Sequence, residues 1–139
     1  GLATLYRFER GLSGLPEPEW LTRDIAASGD PAPVVSRAAL AETDPVCQRT
    51  MHRFVSLYGA EAGNLALKTL ATGGVFVGGG IAPKILPLLR DGFFTACAAK
   101  GRFGSLLARI PIRVVLNDSC AILGAARAAA RAARGEVSP

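Results

Sequence analysis

Apolar residues recur at helical spacing through most of the first half of the chain. Turns that contain glycine and proline interrupt this spacing several times before residue 44. The pattern therefore predicts a series of short helices at the start of the chain, over residues 2–10, 20–27 and 34–41.

A long helix is predicted to start at Asp44 and to run to Leu70. Asp44 can cap the first free amides, and the proline that follows it suits the first helical position. Gly59 and Gly63 lie four residues apart on this helix, so another backbone could approach it closely there. The residues of this helix that are predicted to face inward are Cys47, Met51, Phe54, Val55, Tyr58, Ala62, Leu65 and Ala66.

The second half of the chain changes to short apolar runs that contain β-branched residues. Such runs predict two strands, at about 74–78 and at 112–116, the first of them buried on both faces. Because helices are predicted between and after the strands, the expected topology is a parallel pair joined by a crossover. Two strands make a poor sheet, so partner strands are expected in sequence beyond this chain. The predicted helices start near Pro83, Asp91, Ser105 and Ser119, and the last of them runs to about Arg134.

Composition and charge narrow the class of protein. The 139 residues suffice for one domain, and an apolar half with only 19% charged residues excludes a disordered segment. No run of about 18 apolar residues occurs, so no membrane partner is expected. The net charge of +5 is modest and comes without aromatic platforms, so no nucleic-acid partner is expected either. The chain starts with Gly1 and no leader pattern, and we expect it to be part of a longer protein.

The three cysteines are far apart and form no metal-binding pattern. Cys47, Cys97 and Cys120 contain no CxxC pair, so we predict no zinc site and no metal ligands in this chain. Their odd number and wide spacing indicate reduced, mostly buried thiols in a cytoplasmic protein.

The most informative stretch is the glycine run that follows the first predicted strand. Gly78, Gly79 and Gly80 permit positive φ and place no side chain between the backbone and a ligand. A helix that starts just after them offers free amides to an anion, which suits a nucleotide at the carboxyl end of a parallel sheet. Pro83 and Lys84 stand where the dinucleotide fingerprint and the Walker A loop need other residues, so neither motif is present. A tight turn without a ligand remains the alternative.

Four further polar residues are candidates for chemistry, each with a structural alternative. Lys84 could steer a phosphate or simply be an exposed lysine, and Asp118 could be a functional carboxylate at a strand end or a helix cap. His52 has no evident partner and is expected to be structural, and Asn64 is expected to be exposed or capping. No pair of carboxylates stands out for acid–base work.

Several separated segments, taken in order, form a pattern that spans nearly the whole chain. The chain resembles the C-terminal part of bacterial glucokinases, which belong to the actin/hexokinase-like superfamily. The opening segment is similar to the family's helix after its SGxGL motif. The segments that carry the resemblance are Gly1–Arg7, Gly63–Leu67, Gly73–Pro83, Lys100–Phe103, Ile110–Ile112 and Leu123–Ala125.

The resemblance implies an α/β fold, namely the helix-rich βαβα portion of a ribonuclease H-like ATPase domain. Residues 1–139 would be the C-terminal part of the large domain of a glucokinase, with the N-terminal domain and the catalytic motifs outside this chain. Gly78, Gly79 and Gly80 would form the turn beside the adenosine of ATP. His52 and Asp118 match neither the family's sugar-binding histidine nor its catalytic aspartate, so no catalytic residue is expected here.

The resemblance also implies a function for the longer protein. It would transfer the γ-phosphoryl group of ATP, with Mg²⁺, to the 6-hydroxyl of glucose, as a cytoplasmic homodimer, and this chain alone would be inactive. The alternatives are another hexose or amino-sugar kinase, a non-catalytic sugar-sensing regulator of the same superfamily, and a plain interaction domain. The cysteine-rich zinc motif of the wider group is absent from this span, which favours the glucokinase branch.

Overall fold

The computed structural model describes residues 1–136, apart from the side chain of Asp91. The last three residues of the predicted 1–139 unit lie outside this description. Seven helices and two strands follow one another in these residues, with short 3₁₀ turns before the fifth and sixth helices. The elements are α1 (Leu2–Ser13), α2 (Glu19–Ser28), α3 (Pro31–Leu40), α4 (Pro45–Thr69), β1 (Val75–Val77), a 3₁₀ turn (Pro83–Ile85), α5 (Leu86–Ala98), a 3₁₀ turn (Gly101–Phe103), α6 (Gly104–Leu107), β2 (Ile112–Val114) and α7 (Cys120–Ala133).

The predicted helices and strands are confirmed to within a few residues, with one exception. The separate helix expected to start at Asp91 is wrong, because Leu86–Ala98 forms one continuous helix. Pro87 does not interrupt it, since a proline in the first turn loses an amide that has no intrahelical partner there.

α4 lies at the centre of the core and contacts α1, α3 and α5. Met51, Val55 and Ala62 of the predicted inward stripe are buried, as expected. The prediction that Leu65 faces inward is wrong, because 53% of this residue is exposed. Ala66, which was also predicted to face inward, is buried and packs with Leu107 and Ile110 in a second small cluster.

α4 and α5 approach each other at the two glycines that the sequence singled out. A Cβ atom at Gly59 would overlap the carbonyl group of Phe93, and one at Gly63 would overlap the carbonyl group of Cys97. Backbone atoms of α5 therefore occupy the space in which any other residue would place its side chain. The predicted close approach is confirmed, and only glycine permits it.

A network of polar side chains joins α1 to the start of α4. The Arg10 guanidinium donates to Asp44 Oδ1 at 2.8 Å, and the same oxygen accepts from the Cys47 amide at 2.7 Å. Arg10 also donates to the Tyr6 hydroxyl at 2.9 Å, and that hydroxyl donates to Glu17 at 2.6 Å. Asp44 is thus both the predicted cap of α4 and the buried partner of Arg10.

These contacts shift the pKa values of the groups involved. Burial by itself raises the pKa of Asp44, but the Cys47 amide and the Arg10 guanidinium outweigh burial and leave that pKa below its ordinary value. Burial, followed by the hydrogen bond to Glu17, raises the pKa of Tyr6. The network therefore stabilises the ionised form of Asp44 and the neutral form of Tyr6.

The two strands pair in parallel, as the sequence predicts. Val75 faces Ile112 and Val77 faces Val114 across the pair. The expectation that β1 is buried on both faces is wrong, because Val77 is buried while 67% of Phe76 is exposed. In the described residues helices cover only one face of the sheet, and the open face carries Phe76 with the Arg113 guanidinium 5.8 Å from its ring centroid.

Within residues 1–136, α7 lies against no other element closely enough to bury any of its residues. Its apolar side chains are nevertheless spaced on one face, with Ile122 74% exposed and Leu123 52% exposed. α7 and the open face of the sheet thus both carry uncovered apolar positions.

We expect Gly59→Ala to lower the free energy of unfolding by about 1–3 kcal/mol, because the added methyl group overpacks the α4–α5 contact. Gly11→Ala is the matched control. Gly11 lies inside α1, and a methyl group there would meet nothing within 4 Å, so alanine should add about 0.5–1 kcal/mol through helix propensity. Urea titration followed by circular dichroism measures both, and equal effects at the two sites would contradict the close-contact explanation.

We expect Asp44→Ala to lower the free energy of unfolding at pH 7 by about 3–5 kcal/mol, because it removes both the cap of α4 and the carboxylate partner of the largely buried Arg10 guanidinium. Asp24→Ala is the control. Asp24 pairs with Arg23 at 3.7 Å on the surface, and its loss should cost less than about 1 kcal/mol.

The same pair makes stability depend on pH. Since folding lowers the pKa of Asp44, its contribution is complete above the unfolded value of about 4 and is lost as pH falls through the lower folded value. Urea titrations between pH 5 and pH 2 should therefore show a shallower loss of stability for Asp44→Ala than for the unmodified chain. Parallel pH profiles would refute the assignment.

Candidate functional site

The glycine turn lies at the carboxyl end of β1 and leads into the 3₁₀ turn before α5. Gly79 has φ +100, a backbone conformation that strongly favours glycine, whereas Gly80 does not need positive φ. A Cβ atom at either position would meet nothing within 4 Å. The turn therefore presents bare backbone to open space.

Gly80 opens onto a cavity of about 460 Å³. That volume falls within the range of roughly 300–1,000 Å³ that is usual for small-molecule sites. One wall follows the glycine turn and the other is formed by α3 and its cap. The lining residues are Gly80, Ile81, Lys84 and Ile85 on the turn side, and Asp30, Ala32, Pro33, Ser36, Arg37 and Leu40 on the α3 side.

The structure brings Lys84 and Gly80 to the same cavity. Lys84 lies in the 3₁₀ turn and is exposed, and no described carboxylate lies within ion-pair distance of it. Gly78 and Gly79 do not line the cavity. A Cβ at Gly78 would instead lie 4.0 Å from the Cys120 sulfur, so the start of α7 borders the other side of the turn.

Asp118 lies at this edge of the sheet but does not cap α7. The cap position is Ser119, and Asn117 Oδ1 accepts from the Ser119 amide at 2.9 Å. The interpretation of Asp118 as a helix cap is therefore wrong, because α7 starts at Cys120 and its cap position is one residue after Asp118. Asp118 is exposed.

His52 and Asn64 lie on α4, away from the cavity. His52 is exposed beside Arg53, which is paired with the buried carboxylate of Glu9. Asn64 accepts from Lys100 Nζ at 2.6 Å and donates to Glu61 at 3.0 Å. Asn64 is thus exposed, as predicted, and it ties α4 to the segment after α5.

The thiols are unpaired, and two of the three are buried. Burial, with Asp44 as the next cause, raises the pKa of Cys47 to about 12, so this thiol stays protonated and unreactive at neutral pH. Among the residues that the structure describes, no three histidine, cysteine or acidic side chains come together as metal ligands. None of the helices described within residues 1–136 combines the length and apolar character that a membrane span requires.

Sequence reasoning missed the α3 wall of the cavity. Asp30, Ser36 and Arg37 carry no motif and are separated from the glycine turn by the whole of α4. Only Asp30 gave a local signal, as the cap of α3, where its Oδ1 accepts from the Ala32 amide at 3.0 Å. That signal concerns helix formation and does not point to a cavity.

Known proteins provide an independent comparison. A glucokinase of Synechocystis sp. is 52% identical over 116 residues, which cover 83% of this chain and 31% of that protein. A glucokinase of Nostoc punctiforme is 48% identical over 105 residues, which cover 75% of this chain and 31% of that protein. The chain therefore spans about a third of the length of these curated relatives.

Structural comparison leads to the same group. The crystal structure of glucokinase from an Antarctic psychrotroph matches 92% of this chain and 37% of its own, with a TM-score of 0.74 and 29% identity. The family model described as glucokinase matches residues 1–132. Because the match to the family model covers nearly all of this chain, the chain belongs to the glucokinase family.

Proposed function

We propose that this chain is the C-terminal part of the large domain of an ATP-dependent glucokinase. The whole protein would transfer the γ-phosphoryl group of ATP to the 6-hydroxyl of glucose. The observation that carries the nucleotide part of this proposal is the bare glycine turn at the end of β1, which opens onto the cavity through Gly80. Family membership and the partial coverage of the relatives support the rest.

The residues around the turn fit a nucleotide. Gly79 and Gly80 leave room for a ligand to lie against the backbone, and the half-buried side chain of Ile81 offers an apolar surface to the face of a base. Lys84 supplies a positive charge on the same wall, which suits a phosphate. Gly78, at the border with α7, would hold the turn in place rather than contact the nucleotide directly.

No residue of this chain is assigned to the chemical step. Phosphoryl transfer depends mainly on positioning and charge stabilisation, which groups elsewhere in the protein would supply. Mg²⁺ is assigned no ligand here, since the described side chains form no acidic cluster that could hold it. The contribution of this chain is nucleotide binding.

The uncovered apolar positions support the proposal of a larger domain. Phe76, Leu116 and Ile122 are each more than 60% exposed and lie on the open side of the sheet, in the segment after β2 and on α7. Relatives about three times as long have the additional chain to cover them. We assign this surface to the rest of a ribonuclease H-like domain, whose further strands would extend the two-stranded sheet.

The remaining parts of the proposal concern the whole protein. It is proposed to be a homodimer in the cytoplasm, and the unpaired thiols fit a reducing compartment. The competing functions are phosphorylation of another hexose or amino sugar and sugar sensing without catalysis. Both use the same fold, so the substrate must be established by assay.

We expect residues 1–139 alone to show no sugar phosphorylation, and the whole protein to phosphorylate glucose. A coupled ADP-release assay with ATP, Mg²⁺ and a panel of glucose, mannose, fructose and amino sugars measures both. Turnover above about 1 s⁻¹ by residues 1–139 alone would refute the expectation that activity requires the rest of the protein. A different preferred sugar, or no turnover by a well-folded whole protein, would select one of the competing functions.

We expect Gly80→Val in the whole enzyme to raise KM for ATP and to change KM for glucose much less. The side chain would fill the space beside the turn that the nucleotide needs, and a loss of ground-state binding appears in KM. Because Gly80 does not need positive φ and has nothing within 4 Å, valine there adds bulk without forcing the backbone.

Gly73→Val is the matched control for that experiment. Gly73 is exposed, does not need positive φ, has nothing within 4 Å and lies at the opposite end of β1. KM for ATP should stay within about twofold of the unmodified enzyme for this variant. An unchanged KM for ATP in a well-folded Gly80→Val enzyme would show that the turn does not contact the nucleotide and has only a structural role.

A further inference from the structure

The cavity has a second wall that the glycine turn does not explain. α3 contributes more of the lining than the turn does, and it brings one acidic, one basic and one hydroxyl side chain: Asp30, Arg37 and Ser36. A ligand that fills a cavity between two elements touches both of them, so the α3 side chains would also have to match that ligand chemically.

The charges on the two walls are complementary to an anion. Arg37 lines the cavity from α3 and Lys84 lines it from the turn. Among the described side chains, no carboxylate lies within ion-pair distance of either cation. Asp30 is the one acidic group in the lining, so its single negative charge is outnumbered by the two cations, and it forms an ion pair with neither of them. The cavity therefore offers two available cations to a ligand.

The rest of the lining is apolar on both walls. Pro33 and Leu40 of α3 line it together with Ile81 and Ile85 of the turn side. A small inorganic anion would leave this apolar part unused, whereas a nucleoside phosphate has a flat base for it and a phosphate for the cations. Ser36 Oγ donates to the Pro33 carbonyl at 3.1 Å, so its oxygen can still accept a hydrogen bond from an amino group of a base.

We propose that α3 forms the second wall of the nucleotide site and that Arg37 is a nucleotide-binding residue. The Arg37 guanidinium contacts a phosphate of ATP from the side opposite Lys84, and Pro33 and Leu40 cover the base. This inference rests on the proposed nucleotide function of the turn and adds to it a residue that the glycine motif does not include.

The test compares Arg37→Ala with Arg37→Lys and Arg23→Ala in the whole enzyme. Calorimetry measures the Kd of ATP, and steady-state kinetics measures KM for ATP and for glucose. Loss of a charge-assisted hydrogen bond should raise the Kd and KM for ATP about tenfold or more in Arg37→Ala, with KM for glucose and the Tm unchanged. Arg37→Lys should recover part of the loss.

Arg23→Ala is the matched control. Arg23 is an exposed arginine on α2 that lies outside the cavity lining, so its removal should leave the Kd of ATP within about twofold. An unchanged Kd in Arg37→Ala, or an equal change in Arg23→Ala, would overturn the proposal.

Adenosine distinguishes the phosphate contact from a contact with the nucleoside. As a competitive inhibitor it should bind the Arg37→Ala and unmodified enzymes equally, because it has no phosphate for the guanidinium to contact. An equal loss of affinity for adenosine and ATP would refute the phosphate assignment.

Gly80→Val separates this inference from the function on which it rests. If Gly80→Val weakens ATP binding and Arg37→Ala does not, the turn binds the nucleotide and the assignment of α3 is wrong. If neither variant weakens ATP binding, the nucleotide function of the turn itself fails.

Discussion

The contact between α4 and α5 is the constraint on which the rest of this structure depends. At Gly59 and Gly63 the backbone of α5 occupies the space of the missing side chains. α5 is thereby held directly against α4, and the 3₁₀ turn and the glycine turn that precede α5 are held with it. The position of the candidate site thus depends on a backbone contact between α4 and α5.

α4 also supports the opposite wall of the cavity. α3 packs against α4, and the cap at Asp44 joins the start of α4 to α1 through Arg10. Both walls of the cavity are consequently attached to one long helix. A ligand between them would bridge two elements whose separation α4 sets.

The division between covered and open surface is equally informative. The helical half of the chain has a well-packed core, with Leu21, Val35 and Met51 fully buried. The sheet and α7 expose apolar side chains, because the described residues provide helices on only one face of the strands. The chain, which spans about a third of the length of its glucokinase relatives, thus packs around its own helices and leaves one face of its strands uncovered within the described residues.

The amino-acid sequence by itself determined the local features of this protein. The cap of α4 and the short apolar runs of the two strands are signals carried by residues that are neighbours along the chain, and they were predicted correctly, as was the family resemblance. The cap of α3 at Asp30 was not predicted. Errors arose where burial decides the outcome, as at Leu65 and Phe76, because exposure depends on which elements pack alongside. Only the tertiary structure brought Arg37 of α3 to the cavity that Gly80 opens, since the packing of α3 and α5 on α4 joins segments that share no local signal.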